Sequence, residues 1–330
     1  MSSLKHLLAF FLAMTLPDLA LAQSSSDWPE RTVRLITSGT PGGPGDLVAR
    51  LFAEKLSMRW KANVVVENRA GADGIIAIQA VLGARDGHSL LVAPSSNVTV
   101  TPAIRKVPYE QGDLRPLSTI AVDFLTVAVP AASSVRSLAD LVAAARARPG
   151  ALNWFASSGS PAMAFSEFVR KNRLDMVFVP YKGALEAVRD LSESRIDVCV
   201  VPMAAALPLT QAGRLRLIAI TNPEAPPVAP DVPTALQAGY AELAIQGVLG
   251  IFAPAFLPDV IQQRISADIQ VVADDPEIRS RLANAGLIAR GSTPGDYARY
   301  LDEQRQYWDG VARSQKLEPT EIPGLGKKND

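Results

Sequence analysis

The sequence predicts an α/β protein of two lobes around a cleft, and three observations carry that expectation. Short β-branched runs alternate with longer amphipathic stretches, the pattern of sheets joined by crossover helices. The alternation restarts past Pro149-Gly150, as a second sheet would require. The 330-residue chain is long enough for two domains of roughly 100–200 residues each.

Before the first strand, Lys5 and His6 precede an apolar run from Leu7 to Leu16, then Ala20-Leu21-Ala22. Ten apolar residues fall short of the roughly 20 that a membrane-crossing helix needs, so residues 1–22 read as a signal peptide cleaved before Gln23. The mature chain is expected to work in solution outside the cytoplasm.

Thr32 to Thr37 is then a strand, followed by a glycine-rich turn and a helix whose Val48, Leu51, Phe52 and Leu56 share one face. Asn63 to Glu67 is the next strand. A turn at Asn68 to Gly74 leads into Ile75 to Leu82, apolar nearly all round and so a buried helix, and Ser89 to Ala93 is a third strand. Phe124 to Val129 opens the second block. A helix follows, with Ser137 and Asp140 spaced as a capping box and Pro149-Gly150 as its stop. Leu152 to Ala156, Met176 to Val179, Ile196 to Val201 and Leu215 to Thr221 are the strands of this block. Asn222 to Pro233 holds five prolines without periodicity and predicts a surface connection. After a strand at Val248 to Ala253, helices start at Pro258, Pro276 and Thr293-Pro294. The expected organisation is a first lobe from 23–124, a second lobe over 125–240, a return to the first lobe over 241–316 by covering helices, and a disordered polar tail over 317–330. No internal repeat of fixed period is visible.

Charge and composition exclude several functions. Lysine plus arginine total 33 and aspartate plus glutamate total 33, so no electrostatic footprint of a nucleic-acid binder is present. Cys199 is the single cysteine and lies in the apolar run Val198 to Val201, which excludes an internal disulfide and a clustered zinc site. His88, the one histidine past the leader, reads as a surface turn residue, which leaves a Ser-His-Asp arrangement without a base. Asp274-Asp275 reads as a helix cap.

Three polar loops remain as candidates. Gly39-Thr40-Pro41-Gly42-Gly43-Pro44-Gly45-Asp46 joins a strand to a helix, where bare amides and the positive helix end attract an anion. The spacing matches neither a phosphate-binding Gly-Lys-Ser/Thr loop nor a dinucleotide fingerprint. A turn of purely geometric purpose with Asp46 as N-cap stays open as the alternative. Ser157-Ser158-Gly159-Ser160-Pro161 also joins a strand to a helix, with a serine cap as its alternative. Ser95-Ser96-Asn97 follows the third strand at the edge where open α/β sheets collect ligands.

Segments throughout the chain resemble the periplasmic substrate-binding proteins of tripartite tricarboxylate transporters, the Bug-type receptors. They include Pro41-Gly42-Gly43 with Asp46 and Ala49-Arg50, Val65-Val66-Glu67-Asn68-Arg69 with Gly71 and Gly74, Asp86-Gly87, Pro180-Tyr181-Lys182-Gly183, Gln211-Ala212-Gly213-Arg214-Leu215-Arg216 and Pro230-Asp231-Val232-Pro233-Thr234. The resemblance implies a two-lobed periplasmic-binding-protein fold of type II, with two α/β domains closing on a small carboxylate and presenting it to membrane permease subunits. It implies no cofactor, metal or catalytic residue. The matching ligand-binding positions are Thr40, Gly42, Gly43 and Asp46; Ser95, Ser96 and Asn97; Ser157, Ser158, Gly159 and Ser160; and Tyr181, Lys182 and Gly183. Lys182 is either a ligand cation or a solvated turn residue. The chain departs from the family at Ser160 to Phe165, which is shorter and lacks a histidine, and at Val248, where a tryptophan is usual. A small-ester hydrolase and a receptor serving a membrane sensor are the alternatives, and a monomer is the default expectation.

Overall fold

The computed structural model describes residues 28–321. The expected signal peptide and the last nine residues of the tail lie outside that range. In chain order the elements are β1 (Val33–Thr37), α1 (Pro44–Trp60), β2 (Val64–Asn68), α2 (Ile75–Ala84), β3 (Ser89–Pro94), the single-turn helices α3 (Ser96–Thr99) and α4 (Thr101–Ile104), and β4 (Leu114–Asp123). Then come β5 (Leu125–Pro130), α5 (Leu138–Ala147), β6 (Asn153–Ala156), α6 (Ser160–Lys171), β7 (Val177–Phe178), α7 (Ala184–Ser192), β8 (Val198–Pro202), α8 (Met203–Gln211) and β9 (Leu215–Ile220). The chain closes with β10 (Gly247–Pro254), α9 (Asp259–Asp274), α10 (Pro276–Asn284), β11 (Leu287–Ala289) and α11 (Pro294–Ser314).

These strands build two sheets, ordered β11-β4-β10-β3-β1-β2 and β7-β6-β8-β5-β9. In the first, β1 runs parallel to β2 and β3, and β10 lies antiparallel between β3 and β4. In the second, β6 runs parallel to β7 and β8, and β5 lies antiparallel between β8 and β9. The two lobes therefore repeat one strand pattern, in which the antiparallel strand is the one arriving from the other lobe. No sequence period betrays this repeat, because pairing order is conveyed by topology and not by matched residues.

Both sheets are buried on both faces. Leu51, Phe52 and Leu56 of α1 pack with Ile265 and Ile269 of α9 on one face of the first sheet, and Ile78 and Val81 of α2 pack with Tyr297 and Leu301 of α11 on the other. Phe165 and Phe168 of α6 and Val188 and Leu191 of α7 cover opposite faces of the second. Double coverage is why β3 and β8 appear as unbroken apolar runs.

Four expectations change. β4, a ten-residue strand between β11 and β10 in the first sheet, was not anticipated, since Arg115-Pro116 near its start argues against an interior strand and two-faced burial hides any alternation. The last helix does more than cover the first lobe: Tyr297 and Leu301 belong to a first-lobe core, but Trp308 and Ala312 belong to a second-lobe core. The start of the tail is ordered, with Thr320 bridged to Arg105 and its amide donating to Ile104 O at 3.1 Å. His88 is buried, stacked on Trp28 at 5.9 Å between ring centroids.

Candidate functional site

Parallel strands deliver their C-terminal ends to one edge of a sheet, and the loops leaving those ends form the site. Here the loops after β1, β2 and β3 face those after β6 and β7 across the cleft, and the lobes are closed. A Cβ placed on Gly159 would lie 2.5 Å from Ser96 Oγ and 2.8 Å from Ser96 Cβ. One placed on Gly183 would lie 3.5 Å from Thr40 Cγ2. First-lobe and second-lobe backbones thus meet at glycine positions where any side chain would hold them apart.

The predicted residues divide into three groups. Thr40, Gly43, Ser96, Gly159 and Gly183 meet at the lobe contact, with Gly42, Ser157, Ser158 and Ser160 on the same loops. Ser157 Oγ is buried and has no partner within the protein, which leaves it available to a bound molecule.

A second group supports the loops from behind. Asp46 is not the N-cap of α1, a position held by Gly43; its carboxylate accepts from Gly42 N at 3.0 Å, Arg50 Nε at 2.9 Å and Asn68 Nδ2 at 2.9 Å. Burial pushes its pKa up, but the Arg50, Gly42 and Asn68 donors outweigh burial and hold it below the ordinary aspartate value. Ser95 Oγ bonds the phenol of Tyr297 at 2.9 Å, and Asn97 accepts from Ser38 Oγ at 2.7 Å while donating to Asp73 O at 3.0 Å. Tyr181 turns its hydroxyl to Asp190 at 3.0 Å and its ring edge to Phe155, and burial followed by that carboxylate pushes the phenol up to about 12.

The third group is Lys182 alone. Its side chain is exposed on the turn before α7 and its amide donates to Glu186 Oε2. Other cations around the loops are paired: Arg50 with Asp46, Arg69 with Glu67 and Arg105 with Asp73.

Ser38, Asn68, Asp73 and Gly74 were not foreseen as part of this framework. Their partners stand 22–59 residues away in sequence, so no local spacing marks them. The one hint was the polar turn Asn68 to Gly74 itself, where Gly74 at φ 91° takes the Asn97 carboxamide directly over its Cα.

Helix starts add backbone donors to the site. α1, α2, α6 and α7 begin on Gly43, Gly74, Gly159 and Gly183, none with a side-chain cap. Elsewhere, α5, α10 and α11 are capped by Ser137, Asp275 and Thr293, while α8 and α9 start on Pro202 and Pro258 without a side-chain cap. The starts of α1, α6 and α7 lie at the lobe contact, where Thr40 meets Gly183 and Ser96 meets Gly159, while Gly74 of α2 packs on Asn97 of its own lobe.

The TctC model, described as tripartite tricarboxylate transporter family receptor, matches residues 48–317. The chain belongs to that family. BugT of Bordetella pertussis is 29% identical over 322 residues, covering 95% of this chain and 97% of BugT. A protein of R. palustris solved with adipate superposes at TM-score 0.82 with 27% identity, over 88% of this chain and 99% of that one. MatC of Rhodopseudomonas palustris with bound malate gives 0.79 and 26%, over 86% and 100%. This TctC family member is a periplasmic solute-binding receptor with the two-lobed fold that its sequence predicted. The family is one of receptors and not of enzymes. In accord with that, His88 precedes β3 while Ser95 follows it, so the imidazole lies roughly 20 Å from the serine loops at ~3.3 Å per strand residue.

Proposed function

We propose that this receptor captures a small dicarboxylate in the periplasm and delivers it to the membrane permease subunits of a tripartite tricarboxylate transporter. The observation that carries the reading is the set of three uncapped helix starts, those of α1, α6 and α7, at the lobe contact. Each helix N-terminus is equivalent to roughly half a positive charge, so three supply on the order of one and a half, contributed by both lobes. A dianion with one acid group toward each lobe matches that field, and no unpaired cationic side chain is needed. Adipate and malate in the two neighbours are both dicarboxylates, which supports the same class.

Binding closes the lobes by shifting an open–closed equilibrium, because only the closed form presents both sets of amides at once. Calorimetry on the purified mature chain with dicarboxylates of four to six carbons and with their diamides tests the reading. Binding of a diacid with no binding of its diamide is expected. Equal binding of the two, or of neither across the panel, would overturn it. Delivery is tested separately by uptake of that diacid in a deletion strain: lost uptake supports the permease, and retained uptake points to a sensor. We further propose that the receptor acts as a monomer, which light scattering of the ligand-bound form checks.

A further inference from the structure

The crossover between the lobes holds a carboxyl group that the binding reading does not use. Asp123 is the last residue of β4; Phe124 follows, and then β5 enters the second lobe. Its residue is 6% exposed, and Oδ1 is buried without a hydrogen-bond partner. A Cβ on Gly247, the first residue of the strand that returns from the second lobe, would lie 2.9 Å from the Asp123 Cβ. The group therefore sits between the two crossing strands where both leave the first lobe.

We infer that Asp123 is a proton-controlled hinge element, which keeps the lobes together while its carboxyl is neutral and drives them apart when it ionises. Its neighbours offer no counter-charge. β10 contributes Gly247, β11 contributes Leu287, β5 contributes Leu125 and α8 contributes the Met203 amide, which donates to Phe124 O. The long crossover contributes Asn222, whose amide braces the main chain on both sides of the hinge, donating to Asp123 O at 3.2 Å and accepting from Leu125 N at 3.1 Å. None of these groups is charged or titratable. A carboxylate enclosed by them must recover hydration to persist, and rotation about residues 123–125 and 246–247 is the motion that admits water there.

Burial pushes the Asp123 carboxyl up to about 8 in this closed form, whereas a hydrated carboxyl in an open form returns toward the ordinary aspartate value of 3.8. The closed state thus binds the proton more tightly. Between those two values opening releases the proton, so each pH unit gained favours opening up to tenfold, and the dependence ends above about 8, where the closed form ionises as well.

The test is a cross-cleft distance in the ligand-free mature chain, and it is independent of the ligand's identity. Met58→Cys on α1 and Arg189→Cys on α7, both exposed, carry spin labels, and Cys199 is buried. Pulsed dipolar spectroscopy from pH 4.5 to 9 is expected to show a short-distance population giving way to a longer one as the pH rises toward 8 and levelling off above about 8, and Asp123→Asn is expected to keep the short distance throughout. An unchanged distribution in the parent, or opening of the variant in step with it, overturns the proposal. Carbon-13 titration of the Asp123 carboxyl in the unmutated protein gives a reading that does not depend on the variant folding; a midpoint below 5 also overturns it.

Discussion

Gly159→Ala separates the contribution of lobe closure from that of local backbone. Gly159 has φ 84° and ψ −136°, which an L side chain adopts only under strain of about 1–3 kcal/mol. That cost applies whether the lobes are open or closed and appears as lost stability. The added methyl also lies 2.5 Å from Ser96 Oγ and 2.8 Å from Ser96 Cβ, and this clash exists only when the lobes meet. Rotating the hydroxyl relieves the first contact and not the second, so the backbones must part. Overpacking of this kind costs about 1–3 kcal/mol, which weakens ligand binding by roughly 5- to 150-fold. Calorimetric titration with the bound dicarboxylate, alongside thermal unfolding without ligand, reads the two effects separately. Ser96→Gly in the Gly159→Ala background removes both clashing atoms, so it restores most of the affinity and little of the stability. Unchanged affinity in the single variant, or a loss that Ser96→Gly does not recover, would refute the reasoning.

Gly250→Ala would drive a methyl into the ring and hydroxyl of fully buried Tyr297, so a loss of about 3 kcal/mol or more and a melting temperature lower by at least ~6 °C is expected by calorimetry. Asp46 is held below the ordinary aspartate value despite its burial, so its folded form gains stability above that value and loses it as the pH falls through the lowered one. Asp46→Asn should therefore melt earlier than the parent at pH 7, with the gap closing as the pH falls below the ordinary aspartate value. Lys182→Ala should change ligand affinity less than about twofold, because the ammonium is solvated on an exposed turn; a tenfold loss would make it a ligand cation.

The βα rhythm was legible because buried parallel strands and amphipathic helices leave separate local signatures. The glycine loops at residues 39–46 and 157–161 were legible because only glycine relieves the backbone there. β4 was hidden by Pro116 and by burial on both faces. The supporting roles of Ser95 and Asn97 were hidden for another reason: their hydroxyl and amide are taken by Tyr297, 202 residues on, and by Ser38 and Asp73, 59 and 24 residues back. Sequence locates polar side chains at a strand edge, but which way each one points is decided by partners that only the fold supplies. The Asp123 environment is of the same kind, since nothing around Val122-Asp123-Phe124 shows that Gly247, Leu287 and Asn222 will enclose it.

Amide resonances of the mature chain, followed through a titration with a four- to six-carbon dicarboxylate, test most directly whether main-chain N–H groups hold the anion. The largest downfield proton shifts are expected at the starts of α1, α6 and α7, around Gly45, Ser160 and Ala184, with no comparable response to the matching diamide. Saturable binding that leaves those amides in place and instead perturbs the neighbourhood of a charged side chain such as Lys182 would contradict the account.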